Sequence, residues 1–334
     1  MCLSHDILYL CNMEQQLIDE KYMRRCLQLA RQGWQNAKPN PMVGAVIVSA
    51  CGRILGEGYH VCCGQGHAEV NAFAAVKPED EPLLAQSTIY VSLEPCAHYG
   101  RTPPCAKLIA DKGVKRVVVG CVDPFARVSG RGIEILREAG IDVTVGVLEE
   151  ECRALNRRFI TFNTKHRPYV ILKWCQTLNG FIDDNFRPVM LSSPFTQMLS
   201  HKLRAENDAI LVGRVTAERD HPQLTVRRWW GRNPMRLVID RHHPFAEGVD
   251  FSQPVIPQLM DYLYGQGVQS LIVEGGAETL HRFMEQPDSW DEIRVEVAHT
   301  TVTGGTQAPQ LPADALLSEC CHYDGNDIFY YRHR

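Results

Sequence analysis

His67, with Glu69 two positions on, together with Cys96 and Cys105, could do metal chemistry. One imidazole and two thiols suit zinc and leave a fourth tetrahedral position for water, whereas closed structural sites usually spend all four positions on protein. Zinc brings the pKa of such a water to about 7. A carboxylate near the start of the helix that carries the histidine could face that water. Glu69 would then take its proton and deliver it to a ring nitrogen and a departing amine. That is hydrolytic deamination of a base-like ring, with glutamate as acid and base and not as a ligand. A lone His-x-Glu is a weak signal, but its context strengthens it. Ser92-Leu93-Glu94-Pro95-Cys96 follows a predicted strand, and Pro103-Pro104-Cys105 enters a predicted helix. Cys62 and Cys63 lie near His67 as rival donors, yet all eleven cysteines outside the trio read as small buried apolar residues.

These side chains need a scaffold, and the chain alternates strands with helices. Leu17, Met23, Cys26, Leu27 and Ala30 recur at helical spacing in a segment ending at Gly33. Asn40-Pro41 opens the apolar run Met42–Ser49, and Cys51-Gly52 turns it into a second run from Arg53, a hairpin pattern. Helices are predicted at 67–76, 104–111 and 131–139, and strands at 88–92, 116–120 and 143–147. This alternation argues for a three-layer α/β domain over 13–150. Residues 151–165 read as an irregular charged linker, and the charged stretch begins at Glu149. A second domain over 166–334 has predicted strands at 169–174, 209–212, 236–240, 270–273 and 293–298. Helices are predicted at 194–205, near 258–264 and up to Met284. A hairpin closes it around Asp324-Gly325.

Composition bounds the function. A chain of 334 residues with 45% hydrophobic and 22% charged residues can build two ordinary cores. The net charge of −4 and the lack of a basic cluster argue against nucleic acid as a partner. Thirteen cysteines along so long a chain fit a reducing cytoplasm better than a disulfide framework. No run approaches the length of a membrane span. Met1–Asn12 lacks the basic start and long apolar core of a signal peptide, and Met13 is an alternative start.

Pro39-Asn40-Pro41-Met42-Val43-Gly44, Gly66-His67-Ala68-Glu69 and the run from Leu93 through Cys96-Ala97-His98-Tyr99-Gly100-Arg101-Thr102-Pro103-Pro104 to Cys105 carry a resemblance. They are similar to the bifunctional deaminase/reductase family of riboflavin biosynthesis. Asp123-Pro124 and Gly130-Arg131-Gly132 extend the match. The eight residues between Cys96 and Cys105 distinguish this family from deaminases with Cys-x-x-Cys. The resemblance implies a cytidine-deaminase-like first domain. Its substrate would be a diaminopyrimidinone carrying a ribosylamino 5′-phosphate, with zinc on His67, Cys96 and Cys105 and with Glu69 catalytic. Asn40 would bond the pyrimidine edge, Arg101 the 5′-phosphate, and His98 would line the pocket.

The resemblance also implies a second domain like dihydrofolate reductase, which reduces the ribosyl group to ribityl with NADPH. Substrate would then meet Lys173, Arg204, Leu224, Arg227 and Glu274. The cofactor would meet Cys175, Met190, Gly213, Thr216, Asp220, Gly275 and Gly276. Independently of the family, Gly275-Gly276 ends a strand and opens a helix, where backbone can approach a phosphate closely. Relative to the family, Asn179 replaces an aspartate, Phe181 often a basic residue and Met190 a tryptophan. The connection from Asp240 to Phe251 is short. The expected partners are small phosphoribosylaminopyrimidines and further copies of the chain. Three alternatives stay open: a deaminase whose degenerate second domain serves oligomerisation, a tRNA- or nucleoside-acting deaminase, and a purely structural zinc protein.

Overall fold

A computed structural model describes residues 2–99, 103–124 and 129–333, with side chains described from residue 13 onward. The chain divides into two compact units, 1–164 and 165–334.

In the first unit, β1 (Gly44–Val48) pairs antiparallel with β2 (Ile54–Tyr59) and with β3 (Thr88–Val91). The strands β4 (Arg116–Val119) and β5 (Asp142–Val145) then add in parallel. Every residue of β1 is buried, as expected of a strand covered on both faces. Ala45 and Ile47 face a core shared with α2 (Ala68–Ala74), α3 (Cys105–Lys112) and α4 (Arg131–Glu138). Val46 and Val48 face the opposite core, filled by Tyr22, Met23, Cys26 and Leu27 of α1 (Cys2–Ala30). Helix, sheet and helix thus make three layers.

The stretch expected to be irregular is helical: α5 (Glu149–Leu155) and α6 (Arg157–Lys165) occupy it. Its charge hid a short amphipathic pattern, because Cys152 is fully buried against the first sheet while the glutamates around it face solvent. A 3-10 segment at Pro78–Gln86 also lacks a helical sequence pattern.

In the second unit, β6 (Tyr169–Thr177), β7 (Ala209–Gly213), β8 (Met235–Ile239), β9 (Ser270–Glu274) and β10 (Glu292–Ala298) run parallel in the order β10-β6-β9-β7-β8. The hairpin β11 (Ala315–Tyr323) and β12 (Asn326–His333) extends the sheet beyond β10. One face packs on α9 (Val255–Gly265) and α10 (Ala277–Glu285) through Leu259, Leu263, Leu280 and Phe283. The other packs on Leu203 of α7 (Pro194–Glu206). A further helix, α8 (Arg214–Asp220), follows β7 where only a strand end was expected. Residues 241–254 carry no strand. Parallel strands place all their C-terminal ends on one edge, where α/β sheets bind ligands.

Candidate active sites of the two units

His67 is the residue before α2, and Glu69 lies in that helix's first turn. The helix is pinned to β2 at Gly58, where a Cβ would lie 2.4 Å from the Ala72 nitrogen and 2.5 Å from the Ala68 oxygen. Cys105 begins α3, and its N–H points at Cys96 Sγ, 3.3 Å away. His67 Nδ1 lies 3.5 Å from Cys96 Sγ and 3.4 Å from Cys105 Sγ. The three donor atoms all fall within 4.8 Å of one another. Two sulfurs converging on one imidazole nitrogen are a donor set that zinc favours.

At that point the two thiols, the imidazole and the Glu69 carboxyl perturb one another strongly. Hydrogen bonds from the Cys105 thiol, His67 and a helix-start N–H pull Cys96 down, toward the thiolate. Cys105 is pushed up because it donates to that thiolate from a buried position. Burial, then the Cys96 charge, raise Glu69 to about 7. A dication among these groups would draw protons off both sulfurs and oppose the rise at Glu69.

Asn40 Nδ2 meets His60 Nε2 at 3.1 Å, and the His60 ring stands edge-on to His67 with centroids 5.4 Å apart. The structure thereby brings Asn40, through His60, into the neighbourhood of His67. His60 was missed by sequence reasoning; its signal was a histidine just past a predicted strand, too common to single out. His98 is exposed, and Arg101 lies outside the described residues.

Glu94, one residue before Pro95-Cys96, accepts from the backbone N–H groups of Gly132 at 2.9 Å, Gly130 at 3.0 Å and Asp123 at 3.2 Å. The Glu94 and Gly130-Arg131-Gly132 segments therefore brace the ligand loop. The expectation for the remaining cysteines needs correction. Among the described residues Cys26, Cys121 and Cys152 are buried, but Cys51 and Cys63 are exposed and Cys62, Cys175, Cys320 and Cys321 are partly so. Turns and strand edges, and not the core, hold most of them.

In the second unit a cavity of about 1420 Å³ opens at the C-terminal ends of the parallel strands. Ten of the twelve residues expected there line it: Lys173, Cys175, Met190, Gly213, Thr216, Asp220, Leu224, Glu274, Gly275 and Gly276. Arg204 and Arg227 are not in its wall. Arg204 Nη2 holds Glu274 Oε2 at 2.7 Å, and Arg227 Nη1 turns to Thr225 Oγ1 at 2.9 Å. Lys173 pairs across the sheet with Glu274, its Nζ 4.0 Å from Oε1. That oxygen is buried and has no hydrogen-bond partner among the described residues. Burial would raise the Glu274 pKa, but Lys173 and Arg204 outweigh it and hold the carboxylate below its usual range. Burial pushes the Cys175 thiol up to about 12.

A Cβ on Gly213 would lie 2.4 Å from Thr279 Oγ1, so a larger residue there would displace that hydroxyl. The Gly276 N–H donates to Thr216 Oγ1 at 2.9 Å, which sets the angle of that helix start. Asp183, absent from the expected residues, accepts from Thr306 N at 2.8 Å, and both lie in the cavity wall. The cavity exceeds the roughly 300–1,000 Å³ of a typical single-ligand site, which is room for a dinucleotide beside a sugar phosphate.

Comparison with known proteins agrees with both halves. Residues 17–121 match the cytidine and deoxycytidylate deaminase zinc-binding region, and residues 168–323 match the RibD C-terminal domain. The riboflavin biosynthesis protein RibD of Aquifex aeolicus is 45% identical over 225 residues, covering 67% of this chain and 62% of that protein. The matched stretch thus spans about three fifths of that relative's length. RibD of Bacillus amyloliquefaciens is 33% identical over 332 residues, covering 88% of each chain. A crystal structure from Thermotoga maritima, described as a diaminohydroxyphosphoribosylaminopyrimidine deaminase/5-amino-6-(5-phosphoribosylamino)uracil reductase, superposes with a TM-score of 0.86. Its identity is 32%, over 96% of this chain and 100% of that one. With both family matches in turn along the chain and one curated relative aligned over 88% of each sequence, this chain belongs to the RibD family of riboflavin biosynthesis proteins.

Proposed function

We propose that the chain carries out two consecutive steps of riboflavin biosynthesis. The first unit hydrolyses the 2-amino group of 2,5-diamino-6-(5-phosphoribosylamino)pyrimidin-4(3H)-one. The second reduces the ribosyl group of the resulting 5-amino-6-(5-phosphoribosylamino)uracil to ribityl with NADPH. The observation that carries the reading is the convergence of the His67, Cys96 and Cys105 donor atoms beside the buried carboxyl of Glu69.

In the deamination, water adds at the amine-bearing carbon, ammonia leaves and a carbonyl remains. His67, Cys96 and Cys105 would hold the zinc, which would make a water acidic near neutral pH available there. Glu69 takes a proton from the attacking water and hands it first to the ring nitrogen and then to the departing amine. Asn40, held by His60, bonds the ring edge, and Arg101 and His98 receive the rest of the substrate.

In the reduction, sugar C1′ gains a hydride, its bond to the ring oxygen breaks, and that oxygen takes a proton. NADPH supplies the hydride when bound. Lys173 is the cation placed to deliver the proton, and the free Glu274 oxygen accepts from a sugar hydroxyl. Arg204 acts through Glu274, which it already holds. The start of α10 after Gly275-Gly276 receives the cofactor diphosphate, with Gly213, Thr216, Asp220, Cys175 and Met190 around it. Arg227 and Leu224 border the substrate end. We assign the enzyme to the cytoplasm as a homo-oligomer, on the reducing-compartment composition and the family.

The test is ammonia and NADPH measured in one vessel with purified protein and the diaminopyrimidinone. One NADPH consumed per ammonia released is expected. Ammonia without NADPH oxidation would leave a deaminase with a non-catalytic second unit, and no ammonia at all would overturn the proposal.

A further inference from the structure

The closing hairpin of the second unit gathers a thiol, an imidazole and a carboxylate on one face. Side chains alternate along a strand, so Cys320 and His322 of β11 share a face, and the register sets Asp327 of β12 opposite His322. The two-residue Asp324-Gly325 turn, with Gly325 at φ 76°, fixes that register. Cys320 Sγ lies 3.6 Å from His322 Nε2, and His322 Nδ1 lies 2.9 Å from Asp327 Oδ1. The other Asp327 oxygen meets Nε2 of His299, the residue after β10, at 3.1 Å. None of the four lines the second-unit cavity or joins the donor set of the first unit.

A thiol, a base within its reach and a carboxylate that orients the base are the parts of an activated nucleophile. Hydrogen bonds, first from His322 and then from His299, hold Asp327 below the usual carboxylate range, so it stays ionised. An ionised Asp327 takes the Nδ1–H of His322 and leaves Nε2 as the acceptor that faces the thiol. Burial, then the Asp327 charge, raise the Cys320 pKa, so the resting group is a thiol whose proton must leave through a base. Cys321 is the contrast. Its Sγ donates to Glu319 Oε1 at 3.4 Å, and a carboxylate there disfavours a thiolate. Cys320 is partly exposed and His322 is exposed, which leaves the pair open to a small molecule. We infer that Cys320 is a thiol–disulfide exchange site for a small disulfide of the glutathione type, with His322 as its base. The Cys320 sulfur attacks one sulfur of that disulfide, the S–S bond breaks, and the proton taken up by His322 passes to the departing thiolate. The products are a mixed disulfide on Cys320 and one free small thiol, with no other oxidant consumed.

The test is incubation of the full chain with oxidised glutathione, the adduct being followed by mass spectrometry and located by fragmentation. Cys321→Ser removes the neighbouring thiol and should leave fast formation of a mixed disulfide at Cys320. In Cys320→Ser the adduct at Cys321 should form more slowly by roughly a hundredfold, the lower end of what a positioned base contributes. Adding His322→Gln to Cys321→Ser should slow the Cys320 adduct by a similar factor, with the circular dichroism spectrum of the wild type retained. The comparison of residues 320 and 321 needs no change at His322, so it stands even where that variant does not fold. Equal rates at the two cysteines, no adduct at Cys320, or an unchanged rate in a folded His322→Gln chain overturns the inference.

Discussion

The two candidate sites are built in opposite ways. In the first unit three donor atoms within 4.8 Å come from the starts of two helices and one short loop, all within 39 residues of sequence. In the second, a cavity of about 1420 Å³ is walled by the ends of four parallel strands spread over more than 100 residues. A compact donor set tolerates almost no substitution, because each ligand supplies one of a few bonds. A wide polar cavity shares its work among many weaker contacts, so individual positions can drift. Asn179 and Met190, two departures read from the family resemblance, both fall in the second unit.

That contrast can be broken experimentally, beginning with the largest effect. Incubation with a chelator should abolish ammonia release and leave NADPH oxidation on the deaminated pyrimidine intact; loss of both together would mean that the two chemistries are not separable. Glu69→Gln should lower ammonia release by roughly 10²–10⁴-fold, the usual contribution of a positioned acid/base, with zinc still present at one per chain by elemental analysis. Glu274→Gln should cost the reductase roughly ten- to a hundredfold, since it weakens the charged bond to Arg204 and the free oxygen beside Lys173, with deamination untouched. Because Lys173 and Arg204 keep Glu274 ionised, the acid limb of NADPH oxidation should lie below the ordinary carboxylate range. A limb near neutrality would point to another group.

The smallest effect concerns stability. Gly58→Ala pushes a methyl group into the α2 backbone, which cannot yield as a flexible side chain could. Overpacking of this kind costs about 1–3 kcal/mol. Differential scanning calorimetry should show the loss in one transition only, with cofactor binding to the second unit unchanged.

The sequence made the first site legible for a physical reason. Its ligands sit where strands hand over to helices, and those handovers are punctuated by prolines and glycines that a reader can see. Asn40 could be named, but not its partner: nothing in the chain says that His60, twenty residues away, will hold the asparagine amide. The helices α5 and α6 were obscured because charge density outweighs one buried cysteine in a short window. In the second unit the strands were legible from apolar runs, yet the residues of the cavity were found through family resemblance. Distance along the chain carries no signal of which strand ends will be neighbours. Arg204 shows the limit of that route, since a motif locates an arginine but not the glutamate it will grasp.

The position of β9 in its sheet has a consequence for synthesis on the ribosome. β1 can pair with β2 as soon as residue 59 has emerged, because the two are joined by a tight turn. β6 has no such early partner: its neighbours are β9 and β10, so it waits until residues 270–298 have been made. For about a hundred residues of elongation an apolar strand is left without its hydrogen-bonding mates, and late sheet closure of this kind is slow and prone to aggregation. The second half of the molecule is therefore where a nascent chain leaves an apolar strand unpaired for longest.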